Sequence, residues 1–165
     1  MKHNWRIFEL ILSTLHLCCG FILWIVIYLT FNNYYLYLWN NPLVDHYTLI
    51  EVALRKNLTL LIISIFSILS GFLLIKNKVK GWVMSIITWI MLTIIVIMNS
   101  YRIVKLYPDE LNPLERVVIC IMALVFIAIV ITLNNEQFKQ KYKPTKTNWV
   151  MIVISVILVT VTKFV

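Results

Sequence analysis

Five apolar runs, each close to the length needed to cross a membrane, leave this 165-residue chain few ways to fold. A helix needs about 20 apolar residues, with about 17 as the practical minimum, to traverse ~30 Å of hydrocarbon. The runs occupy residues 7–31, 58–75, 82–98, 117–133 and 149–165. Hydrocarbon offers no partner to free N–H and C=O groups, so segments of this kind satisfy their backbones internally as helices. The expected architecture is all-α, a polytopic transmembrane helical bundle of five spans forming a single integral membrane domain over residues 1–165. Lys163 sits near the end of the fifth run and shortens its uncharged part, so the alternative is four spans with a C-terminal segment at the interface. Composition agrees: 61% hydrophobic residues, 13% charged residues and a mean hydropathy of +0.88 exceed what a soluble domain of this size buries.

Lys2 and Arg6 precede the first run as they would in a signal peptide, but the run is 25 residues long and lacks a small-x-small cleavage site. It therefore reads as an uncleaved first helix. Leu17 before Cys18 speaks against a lipoprotein signal, which wants a small residue there. The net charge of +8 is unevenly placed. The N-terminus and the segments 76–81 and 134–148 hold nine basic residues against Glu9 and Glu136, whereas the opposite side holds six against five acids. Cytoplasmic loops retain Lys and Arg, so the dense set points to the cytoplasm and the N-terminus lies inside a cell membrane. The basic excess is thus an orientation signal with some attraction to anionic lipid, and nucleic acid is not an expected partner.

The longest stretch between runs, 32–57, is the most individual part of the chain. Tyr34, Tyr35, Tyr37 and Trp39 alternate with Asn and Leu, and such side chains favour a membrane interface because an apolar body carries a polar tip. Pro42 then breaks the chain. Leu43, Tyr47, Ile50 and Leu54 follow helical spacing, which predicts an amphipathic helix over 43–56 lying along the outer surface. In the second outer segment, Asn112-Pro113-Leu114-Glu115 is a helix start with an Asn cap, Pro in the first turn and Glu placed to close a capping box. All four prolines lie outside the apolar runs, and no internal repeat is visible.

Few polar residues interrupt the runs. Glu9, Ser13, His16 and Gly20 share one face of the first helix, and Ser64, Ser67 and Gly71, with Ser70 beside them, form a small-residue face on the second. Ser85 and Thr88 share a face of the third. Depth places His16 nearest Ser67 and Ser70, where a neutral imidazole bonded to a hydroxyl is the expected state. Glu9 lies about one turn inside the boundary, within reach of headgroups, and roughly 10 Å along the helix from His16, too far for direct pairing. Glu9, His16, Ser67 and Ser70 are the candidates for a ligand site or proton relay; Ser13, Gly20, Ser64 and Gly71 are candidates for close helix packing. A relay normally needs a second buried acid or base, and the other runs contain none, so a structural hydrogen bond is the plainer reading of His16.

Cys18, Cys19 and Cys120 form no C-x-x-C pair, and with His16 they are too few to hold a metal. No metal or other cofactor is expected. Outside the membrane, Asp45, His46 and Glu51, with Asp109, Glu110 and Glu115, offer a surface cation site, although charged loop residues are usually just solvated. Asp45, His46 and Glu51, with the aromatic group Tyr34, Tyr35, Tyr37 and Trp39, are candidates for outer-loop binding.

Neither a nucleophile with its base nor a ligand set is present, so enzyme chemistry is not indicated. The sequence points to a small membrane protein that binds a membrane-protein partner or itself, as an accessory, assembly or protective protein; the alternative is a small oligomeric channel or transporter with a polar path at His16 and the second-run serines. The bilayer is the first partner in either case. Reporter fusions test the topology: those after Lys80 and Lys143 should report cytoplasm and those after Trp39 and Pro108 the exterior. A cytoplasmic C-terminal fusion would reduce the spans to four.

Overall fold

The computed structural model describes residues 2–40, 46–106 and 112–164. Regular structure among them is helical throughout: α1 (Lys2–Asn40), α2 (His46–Ile75), α3 (Val79–Leu106), α4 (Pro113–Leu133), α5 (Glu136–Tyr142) and α6 (Lys146–Phe164). Four helices are long and apolar enough to cross a membrane, within Trp5–Tyr37, Asn57–Ile75, Val79–Met98 and Pro113–Leu133. A fifth crossing comes only if α5 and α6, bent by 112° at a short break, count as one element. The break contains Lys143, whose φ of 44° is left-handed, followed by Pro144, which has no N–H to continue a helix.

Two outer segments depart from expectation. Residues 32–40 continue α1, and 46–56 continue into α2 without interruption. The helix expected over 43–56 is present as far as it lies within the described residues, as the first part of a 30-residue helix with no break before the apolar run; residues 43–45 fall outside them. The physical reason is the lack of any breaker: neither Pro nor Gly occurs between Gly20 and Pro42 or between His46 and Gly71, so nothing ends either helix at the hydrocarbon boundary. At ~1.5 Å per residue the 39-residue α1 is about 58 Å long, well beyond a ~30 Å core.

The helices associate in chain order. α1 packs on α2, α2 on α3, and α3 on both α4 and α6. The α1–α2 pairing is antiparallel, as its cross-links show: Ser13 meets Gly71, His16 meets Ser67, and Gly20 faces Ser64 and Ile68. Gly20 and Gly71 make this approach possible. A Cβ on Gly71 would lie 2.8 Å from Leu17 Cγ and 3.0 Å from the Ser13 carbonyl, and one on Gly20 would overlap Ile68 and stand 3.1 Å from the Ser64 carbonyl. The small-residue faces of the two helices are thus where the backbones come closest, as packing in hydrocarbon requires. Leu12, Ile63, Leu74, Trp82, Ile86 and Leu133 fill the core around them.

α4 begins as its sequence requires. Asn112 precedes Pro113 in the first turn, and the Asn112 N–H donates to Glu115 Oε2 at 3.2 Å. Its apolar stretch is only 6% buried, because one face alone, through Phe126, Ile129 and Val130, reaches the core. The glycine contacts predict that Gly20→Val, which forces Ile68 and the Ser64 backbone apart, destabilises the protein by about 1–3 kcal/mol. The exposed change Ile22→Val on the same helix should stay within about 0.5 kcal/mol. Thermal unfolding in detergent compares the two.

Candidate functional site: a polar seam and its lysine-rich cap

The polar residues of α1 meet those of α2 and α3 in one buried seam. Ser13 Oγ donates to the Gly71 carbonyl at 2.7 Å. Three hydrogen bonds then engage His16, whose side chain is fully buried. Its Nδ1 lies 3.2 Å from Ser67 Oγ and its Nε2 lies 2.6 Å from Ser85 Oγ, while Ser67 Oγ donates to the His16 carbonyl at 2.7 Å. These distances assign the tautomer. A serine has one hydroxyl proton. Ser67 spends it on the carbonyl, so Nδ1 must be the ring's donor toward Ser67, and Nε2 is left to accept the Ser85 proton.

Of the sequence candidates, Ser67 is therefore a direct partner of His16 and Ser70 is not: Ser70 Oγ donates to the Gly81 carbonyl at 3.1 Å, next to the α2–α3 turn. The second ring partner, Ser85, comes from α3, whose polar face was visible in the sequence without its depth being assigned to His16. Ser64 Oγ donates locally to the Leu61 carbonyl at 2.8 Å, while the Ser64 backbone carbonyl lies against Gly20. Trp89 flanks the His16 ring at 5.2 Å between centroids and reaches Phe126 of α4 at 5.1 Å; its Nε1–H has no acceptor among the described residues.

Glu9 lies at the lysine-rich end of the seam, where side chains of α5 hold its carboxylate. It is 4% exposed. Oε2 pairs with Lys141 Nζ, and Oε1 accepts from the Tyr142 hydroxyl at 2.9 Å. Burial, together with the adjacent Glu9 carboxylate, pushes the Tyr142 phenol above its ordinary range, so it remains a donor. Lys141 Nζ also donates to Asn77 Oδ1 at 2.8 Å, which ties the cap to the α2–α3 turn, where Asn77 has a φ of 52°.

Both partners of Glu9 come from α5, which lies within the basic segment 134–148. Asn135 caps it by accepting from the Gln137 N–H at 3.4 Å, and Phe138 and Tyr142, one turn apart, are its buried face. Phe138 packs edge-on against Trp5 at 5.1 Å, and Trp82 stacks with Tyr142 at 6.4 Å while donating Nε1–H to the Leu133 carbonyl at 2.9 Å. The Asn cap and the four-residue aromatic spacing were the signals that could have revealed α5.

Between α1 and α5 is a cavity of about 690 Å³. Trp5, Arg6, Gln137, Phe138, Gln140 and Lys141 line it, with Glu9 and Asn77 at its inner wall.

The outer-loop candidates lie at the far end. Tyr35, Tyr37 and Trp39 are exposed on the end of α1, Tyr34 is half-buried, and Glu51 is exposed on α2. His46 begins α2, while Asp45 falls outside the described residues. The three cysteines are free, and no group of three metal-ligating side chains occurs among the described residues. Compared with protein-family models, curated proteins and solved structures, the chain matches none.

The cap generates a stability test. Lys141→Met leaves a buried carboxylate with only Tyr142 as partner and, because Lys141 is itself partly exposed, should cost about 2 kcal/mol. Lys139→Met breaks only the exposed pair with Glu136 and should cost no more than about 0.5 kcal/mol. Equal melting temperatures for the two variants would contradict a structural role for the Glu9 pair.

Proposed function

We propose that this chain is a multi-pass cell-membrane protein without catalytic activity, N-terminus in the cytoplasm, that acts by binding a membrane-protein partner as an accessory, assembly or protective component. The observation that carries the reading is the aromatic end of the α1–α2 pair. Tyr35, Tyr37, Trp39 and Tyr47 are 52–88% exposed, Tyr35 and Tyr37 at the end of the first membrane-length segment and Trp39 and Tyr47 beyond the first and before the second, on helices that run on without a break. Rigid aromatic side chains give large contact area at little entropic cost, which is why they concentrate at the centres of protein interfaces. A continuous helix presents them in fixed relation, unlike a loose loop.

The seam supports the same reading. Ser13, His16, Ser67, Ser70 and Tyr142 are engaged with one another, with Glu9 or with backbone carbonyls. Such bonds hold helices together, whereas a catalytic group is held ready for a substrate.

A photo-crosslinking residue at position 39, with a second at position 124 on the exposed face of α4 as reference, tests the proposal in membranes. The expected result is a discrete adduct of one foreign protein from position 39, recovered at near-stoichiometric yield after mild-detergent purification, and lipid adducts alone from position 124. Self-adducts as the sole product, with ion or solute flux in liposomes that His16→Leu abolishes, would overturn it in favour of a small oligomeric channel or transporter using His16 and the serines of α2.

A further inference from the structure

We propose that the cavity between α1 and α5 binds the phosphate group of an anionic phospholipid, with Arg6 as its principal contact. The volume of about 690 Å³ lies within the range of small-molecule sites and suits a glycerophosphate headgroup. Charge selects the guest. Arg6 is exposed at the cavity wall and has no ion-pair partner among the described residues, although its planar guanidinium is suited to phosphate. The carboxylate in the wall does not oppose an anion, because both oxygens of Glu9 are already held, one by Lys141 and one by the Tyr142 hydroxyl. Gln137 and Gln140 add amide N–H donors on the α5 side.

Position and lining favour a lipid over a soluble phosphate. The cavity lies beside Trp5, the first residue of the first membrane-length apolar segment, where the phosphates of a bilayer leaflet lie next to the helix. Trp5 and Phe138 give it aromatic walls, so a ligand with an apolar body beneath its phosphate is matched at both ends. Basic pockets between membrane helices bind anionic headgroups by this combination of charge and partial enclosure.

Native mass spectrometry of the full chain in mild detergent, titrated separately with phosphatidylglycerol, phosphatidylcholine and inorganic phosphate, tests the assignment. Phosphatidylglycerol should bind with one saturable stoichiometry and in preference to phosphatidylcholine. Arg6→Gln should weaken it about fivefold, the value of one basic residue near an anionic headgroup. Arg6→Lys, which retains the charge, should keep most of the preference, and Lys78→Gln, outside the cavity, should change it little. Equal binding of the two lipids would overturn the proposal, as would equal losses in Arg6→Gln and Lys78→Gln, which would signify diffuse attraction to the whole lysine cluster. Arg6-dependent binding of inorganic phosphate without binding of phosphatidylglycerol would also overturn it and assign the cavity to a soluble anion.

Discussion

In hydrocarbon there is no hydrophobic force to draw one apolar helix onto another, so the association of α1 with α2 depends on how near their backbones can come. Gly20 and Gly71 set that distance from opposite ends of the contact, each lying against the other helix's side chains and carbonyls. Once the backbones are this close, Ser13 reaches the Gly71 carbonyl and Ser67 reaches the His16 carbonyl. The polar seam is therefore a product of the close approach and also its reinforcement. A wider pairing would leave the same hydroxyls buried without acceptors, which costs about 1–3 kcal/mol for each group.

The two ends of the bundle solve different problems. At the lysine-rich end the difficulty is Glu9, an ionisable group in an apolar helix, and the solution is a short amphipathic helix folded back beneath the bundle. α5 supplies a cation and a phenol to the carboxylate and inserts Phe138 and Tyr142 among Trp5, Phe8 and Trp82. The sharp bend after Tyr142 then directs α6 back against α3. At the far end α1 and α2 run on, with Tyr35, Tyr37, Trp39 and Tyr47 exposed.

Much of this was legible in the sequence because the signals were of the kind that geometry cannot override. Apolar run length identified the membrane-length helices, Asn112 to Glu115 identified the start of α4, and the spacing of Glu9, Ser13, His16 and Gly20 identified the buried face of α1. The pairing of His16 with Ser67 followed from depth alone, but depth is coarse: Ser67 and Ser70 lie one turn apart, and rotation of the helix decides which one points at the ring. Ser85 was harder, since placing it required the tilt of a third helix. α5 escaped because its signals, the Asn135 cap and the single Phe138–Tyr142 spacing, are short and stand among lysines that resemble a solvated loop. Boundaries at 32–40 and 46–56 were misread for another reason: the hydrocarbon edge marks where a helix leaves the membrane, and only a breaker marks where it ends.

The direction of the bonds around His16 carries a further consequence. The protons are ordered in one sense, from Ser85 Oγ to Nε2 and from Nδ1 through Ser67 Oγ to the His16 carbonyl. A proton wire works when each member can accept on one side and release on the other, and when the far end can pass its proton on. Here the far end is a backbone carbonyl, which has no proton of its own to hand forward. The row therefore ends on the peptide group of the residue that carries the ring. Groups that stand in a row when written along one helix become, once folded, a set of bonds that fixes the angle of one imidazole among three helices.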